Sequence, residues 1–96
     1  MTKVIGIYLS DAPARLRSLQ EAVARGDAAE MGRAAHAFKS ASANLGATGL
    51  AELCRRMEDL GRASSTQGAQ NLVAEIEMEY AQVAAELSVH AGGRAS

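Results

Sequence analysis

His36 and Lys39 stand three residues apart in the stretch AAHAFKSASANLGA, residues 34–47, with Arg33 three residues before the histidine and Ser40 four after it. On a helix those spacings put all four side chains on one face. An imidazole there can act as nucleophile, base or ligand near neutral pH. The helix supplies two flanking cations and no carboxylate within a turn on that face, which favours the neutral ring and suits an anion better than a metal ion.

At about 100° per residue His36 lies about 200° from Phe38, so a core-facing Phe38 sends His36 to solvent. The surroundings of the ring are bare: Ala29, Gly32, Ala37, Ser40 and Ala43 carry little bulk. A helix designed only for solubility would hold Glu, Lys and Gln there. The low relief predicts a docking surface over Gly32, Arg33, Ala37 and Ala43 that a partner protein can approach closely.

The elements that must position this face can be read from apolar spacing. Ile5, Tyr8, Ala12, Leu16, Leu19 and Val23 recur at threes and fours and predict one helix over about residues 4–25, kinked near Pro13 and stopped by Gly26. Asp27 and Glu30 resemble a capping box opening a second helix, which runs to about Leu45 and is closed by Gly46 in the left-handed conformation. Its buried side is expected to carry Met31, Ala35, Phe38, Ser42 or Ala41, and Leu45. Leu50, Leu53, Cys54, Met57 and Leu60 predict a third helix over about 48–62, and SSTQG, residues 64–68, reads as its exit loop. Leu72, Val73, Ile76, Tyr80, Val83 and Leu87 mark a fourth over roughly 66–90. With no strand signal, the predicted fold is all-α, an antiparallel four-helix bundle over residues 1–90 that exposes His36 on its second helix. Residues 91–96, AGGRAS, are expected to form a disordered tail.

Composition narrows the function. Ten basic and eleven acidic residues nearly cancel, and the aromatics are two tyrosines and one phenylalanine, so neither a basic footprint nor a base-stacking platform for nucleic acid is present. No segment reaches the length of a bilayer span or the apolar core of a signal peptide, and Cys54 has no second cysteine to pair with; these features predict a cytoplasmic domain. Cys54 falls on an apolar stripe and reads as a core residue. His90 reads as a surface or helix-end residue. RRMED, residues 55–59, reads as a solvated face.

AAHAFKSASANLGA followed by GLAELCRRMEDL resembles the signature of histidine-containing phosphotransfer (HPt) domains of two-component phosphorelays: a histidine, a lysine three residues on, then a small residue. The resemblance extends to IYLSDAPARLRSLQEAVARGD, similar to the family's first long helix, and to EYAQVAAEL, similar to its last. It implies that His36 is the phosphoacceptor, that Lys39 steadies the phosphoryl group, and that Gly46 ends the active helix. The commonest family pattern has glycine after the lysine; Ser40 stands there in this chain and can donate a hydrogen bond. The implied partners are response-regulator receiver domains and an upstream hybrid sensor histidine kinase. No cofactor is expected on this chain, Mg2+ being expected in the receiver. The domain is expected to be a monomer, either free or the cytoplasmic end of a membrane-anchored kinase.

Two other classes of function compete. A docking module would use the bare face without phosphotransfer and would keep its activity when His36 is replaced. A small esterase or metal hydrolase needs a base, an orienting acid or metal ligands around His36. The chain has no Walker pattern or phosphate-cradling glycine loop, so phosphorylation from ATP is not expected of it.

Overall fold

The computed structural model describes the backbone of residues 2–91 and the side chains of residues 6–88. The side chains of Ile5 and His90, and the expected tail beyond residue 91, lie outside the described residues. The elements are α1 (Thr2–Arg25), α2 (Ala28–Asn44), α3 (Thr48–Arg62) and α4 (Ala69–Ala91). Each helix packs on its two neighbours in a closed ring, α1 on α2, α2 on α3, α3 on α4 and α4 on α1. This is the predicted all-α four-helix bundle, with helix boundaries within a few residues of those read from apolar spacing.

The ring encloses one core. Tyr8, Ala12, Leu19 and Val23 of α1 meet Met31, Ala35 and Phe38 of α2, Leu50, Cys54 and Met57 of α3, and Leu72, Val73 and Ile76 of α4. Phe38 is fully buried, its ring centroid 5.9 Å from that of Tyr80 across the bundle. Ser42 rather than Ala41 faces the core, and its hydroxyl satisfies the Tyr8 hydroxyl at 3.1 Å. Burial of a hydroxyl is tolerated because each group is the other's partner. Pro13 sits on the exposed side of α1, which continues through it as one helix. There the lost backbone hydrogen bond can be made good by water.

Helix ends explain how α2 is held in place. The Asp27 carboxylate accepts a hydrogen bond from the Glu30 backbone N–H at 3.1 Å, which caps α2. The reciprocal half of the capping box is not used. The Asp27 N–H already bonds to the Ala22 carbonyl at 3.0 Å, so the Glu30 carboxylate turns to Arg33 at 2.7 Å. At the other end Gly46 adopts φ 78°, and the N–H groups of Gly46 and Ala47 return to the carbonyls of Ala43 and Ser42. This double closure needs a left-handed residue after the helix, which glycine supplies without a Cβ clash.

Candidate functional site

The site lies where α2 and α3 run side by side. His36 projects from the middle of α2 with 61% of its side chain exposed. Phe38 anchors the opposite face of the same helix in the core, so the exposure of the ring follows from the burial of the phenyl group. Lys39, one turn on, is partly covered.

The side chain that joins them comes from α3. Glu58 accepts a hydrogen bond from Lys39 Nζ at 2.6 Å through Oε1, and its Oε2 stands 2.8 Å from His36 Nδ1. Arg62, one turn along α3, reaches the same Oε2 at 3.2 Å. Only 12% of the Glu58 side chain is exposed. The hydrogen bond from Lys39, aided by that from His36, outweighs desolvation and holds the carboxyl below its usual range, so Glu58 is ionised at neutral pH.

This corrects the expectation that the ring has cations and no carboxylate beside it. The helical wheel of α2 was right about its own residues, but the neighbouring helix supplies the missing charge. It also corrects the reading of residues 55–59 as one solvated face. Arg55 is paired with Glu52 and Asp59 in solvent, whereas Glu58 turns inward to α2. Nor is Arg33 an unpaired cation; it lies 70% exposed against Glu30. An exposed pair of this kind contributes about 0.2–1 kcal/mol, so a partner's anionic group can displace it.

Gly61 sets how closely the two helices approach. A Cβ placed on Gly61 would fall 2.7 Å from both the Ala28 carbonyl oxygen and Gly32 Cα. Gly32 is half-covered by α3 at this crossing, but a Cβ on it would meet Gly61 Cα and the Glu58 carbonyl oxygen only at 3.6 and 3.8 Å, which is ordinary contact, so the close approach depends on Gly61. The close approach is what brings Glu58 within reach of His36 and Lys39.

Two shallow grooves flank the bridge. One, of about 580 Å³, has Ala29, Gly32 and Gly61 as its floor and Arg33 and Arg62 on its rim. The other, of about 500 Å³, runs past Lys39, Ser40 and Ala43 toward Thr48 and Ala51. Each has room for side chains of a partner. Ser40 makes no hydrogen bond to His36 among the described residues and belongs to the second groove. Ala37 lies on the α1 side of α2, beside Arg15 and Ser18, away from the two grooves. Cys54 is fully buried, and burial pushes its thiol up to about 12.

Among the described residues no cluster of three His, Cys, Asp or Glu could hold a metal ion, and no helix is long and apolar enough to cross a membrane.

A ring of four helices in which, among the described residues, a histidine is exposed with a lysine one turn further along the same face has the architecture of a histidine phosphotransfer module. The chain belongs to the Hpt domain family, whose model matches residues 3–86. Its structure is similar to that of histidine-containing phosphotransfer protein B (HptB) from Pseudomonas aeruginosa PAO1. The two chains are 33% identical and superimpose with a TM-score of 0.90, over 94% of this chain and 78% of that one. No curated protein matches the chain. Membership makes it a phosphotransfer intermediate of two-component signalling, a phosphocarrier that works with receiver domains and kinases and is not itself a kinase.

Proposed function

We propose that the protein takes a phosphoryl group from an aspartyl phosphate of one receiver domain onto His36 and passes it to an aspartate of another. The observation that carries this reading is the exposed His36 imidazole on the α2–α3 face, one turn from the Lys39 ammonium, in a bundle of the Hpt family. Nε2 is the nucleophile. As its lone pair forms the N–P bond, the aspartate oxygen–phosphorus bond breaks and the carboxylate leaves with the electron pair. The second transfer reverses these events with a new aspartate.

Lys39 offsets charge on the phosphoryl oxygens. An ammonium has three donor hydrogens, so it can serve a phosphoryl group while keeping its bond to Glu58. Ser40 and Ala43 in one groove and Gly32 and Arg33 in the other meet the receiver. Mg2+ is carried by the receiver, and this chain binds no cofactor. The module acts in the cytoplasm, as a monomer, downstream of a hybrid sensor histidine kinase.

The test is transfer from a panel of radiolabelled phosphorylated receiver domains to the wild-type protein and to His36→Gln. Acid-labile, alkali-stable label on the wild type alone is the expected result. No transfer from any receiver, with binding indifferent to the substitution, would support a docking module instead.

A further inference from the structure

We propose that the outer face of α4 is a docking site for a basic amphipathic helix of a partner protein, one that leaves the His36 face free. The inference goes beyond the relay reading and does not rest on it.

At about 100° per residue Ala74, Ala81 and Ala85 fall within about 60° of Met78. All four are exposed, Met78 by 67%. The structure fixes how this strip is flanked. On one side Glu77 accepts a hydrogen bond from Gln20 of α1 at 2.7 Å. On the other, Glu79 lies over Gly49 of α3, where a Cβ would stand 2.9 Å from its carboxylate. The strip therefore looks straight out from the bundle, between α1 and α3.

The outer face of α3 shows what solvent alone asks of a helix in this chain. It carries Glu52, Arg55, Arg56, Asp59 and Arg62, each paired with a neighbour about one turn away. On α4 the arrangement is the reverse, an apolar centre with charge of a single sign. From residue 63 to residue 93 the chain holds Glu75, Glu77, Glu79 and Glu86 but no lysine or arginine. Among the described residues every ion pair joins side chains of α2 and α3, so the carboxylates of α4 have no cation of their own. Glu75, Glu79 and Glu86 all lie about 60–100° from Met78 on the α3 side, an acidic margin beside the apolar strip.

These two features define the occupant. Three alanines let a second helix approach to about 8 Å between axes, and the flexible Met78 side chain fills the gaps in its surface. Lysine or arginine along one edge of that helix would meet the carboxylates of the margin. A second copy of this face, or an anionic bilayer, would bring only negative charge to it. Because α4 packs on α1 and α3 and stands across the bundle from α2, a partner held there leaves the two grooves beside His36 open. The site tethers the protein and takes no part in the reaction.

The test is a titration of the full chain with a synthetic helical peptide that carries a leucine stripe with lysine and arginine along one edge, followed by 15N NMR and calorimetry. Amide shifts at Ala74, Met78 and Ala81, with none at His36 or Lys39, are the expected result. Met78→Glu, and the double charge reversal Glu75→Lys with Glu86→Lys, should each weaken binding at least about tenfold. His36→Gln should bind as the wild type does, and a peptide with glutamate in place of its cations should not bind. Circular dichroism checks that each variant is folded. No binding, shifts centred on α2 and α3, or binding indifferent to Met78→Glu would overturn the proposal. So would self-association of the wild type, or its binding to vesicles of anionic lipid, that Met78→Glu abolishes, since either result names a different occupant.

Discussion

Gly61 of α3 lies so close to Gly32 of α2 that the two helices meet backbone to backbone, with no room for a methyl group on Gly61. Both neighbouring atoms are main chain, so neither can rotate aside. Gly61→Ala is therefore expected to push α2 and α3 apart and to cost about 1–3 kcal/mol, a fall in melting temperature that calorimetry would resolve. An unchanged melting temperature would mean that the helices are further apart than described.

Phe38 and His36 occupy opposite sides of one helix, and their replacements should behave in opposite ways. Phe38→Ala removes a fully buried ring and should cost about 3–5 kcal/mol in denaturant unfolding. His36→Gln should leave the far-ultraviolet dichroism and the unfolding midpoint close to those of the wild type. A large loss of helix in the second variant would contradict the exposure of the ring.

Lys39→Ala should leave the fold intact but remove the ammonium from both Glu58 and the phosphoryl group. Loss of a charge placed at phosphoryl oxygens is expected to slow transfer or shorten the phosphohistidine lifetime at least about tenfold. Equal rates and lifetimes in the variant would take Lys39 out of the chemistry.

The bridge should also respond to acid. The folded-state pKa of Glu58 lies below its ordinary 4.5, held there first by the hydrogen bond from Lys39. Its contribution to stability is thus complete at neutral pH, above the unfolded value, and is lost as pH falls through the lowered folded value. The melting-temperature advantage of the wild type over Glu58→Gln should be flat near pH 7 and shrink on acidification below 4.5. An advantage that grew toward acid would reverse the assigned sign.

Cys54 should be inert while the protein is folded. Burial holds the thiol at about 12, so the reactive thiolate is scarce at neutral pH, and the sulfur is covered as well. Alkylation by iodoacetamide should be negligible in buffer and rapid in denaturant. Rapid labelling of the native protein would place Cys54 outside the core.

The helices and their phases were legible because apolar spacing carries them directly. Met31, Phe38 and Ser42 take the core side of α2 as a wheel predicts, and the end of α2 follows from Gly46. Glu58 was not legible by the same means, because a wheel describes one helix and the contact is between two. A signal was present all the same. On α3 the buried sequence Leu50, Cys54, Met57 continues in phase to Gly61, and a glycine in line with an apolar stripe marks a close helix crossing. Glu58 stands next to that line, three residues before the glycine, where a side chain must lean toward the neighbouring helix.

The groups of the bridge, from His36 and Lys39 to Glu58 and Arg62, all come from α2 and α3, which one short turn connects. Closing so small a loop costs little chain entropy, so these groups find one another through local rather than distant encounters. α1 and α4 supply apolar backing and, among the described residues, make no hydrogen bond or ion pair to the bridge. So far as the bridge is concerned, their lengths and surface residues are free to drift, or to be fused to other domains, while the reacting hairpin between them keeps its geometry.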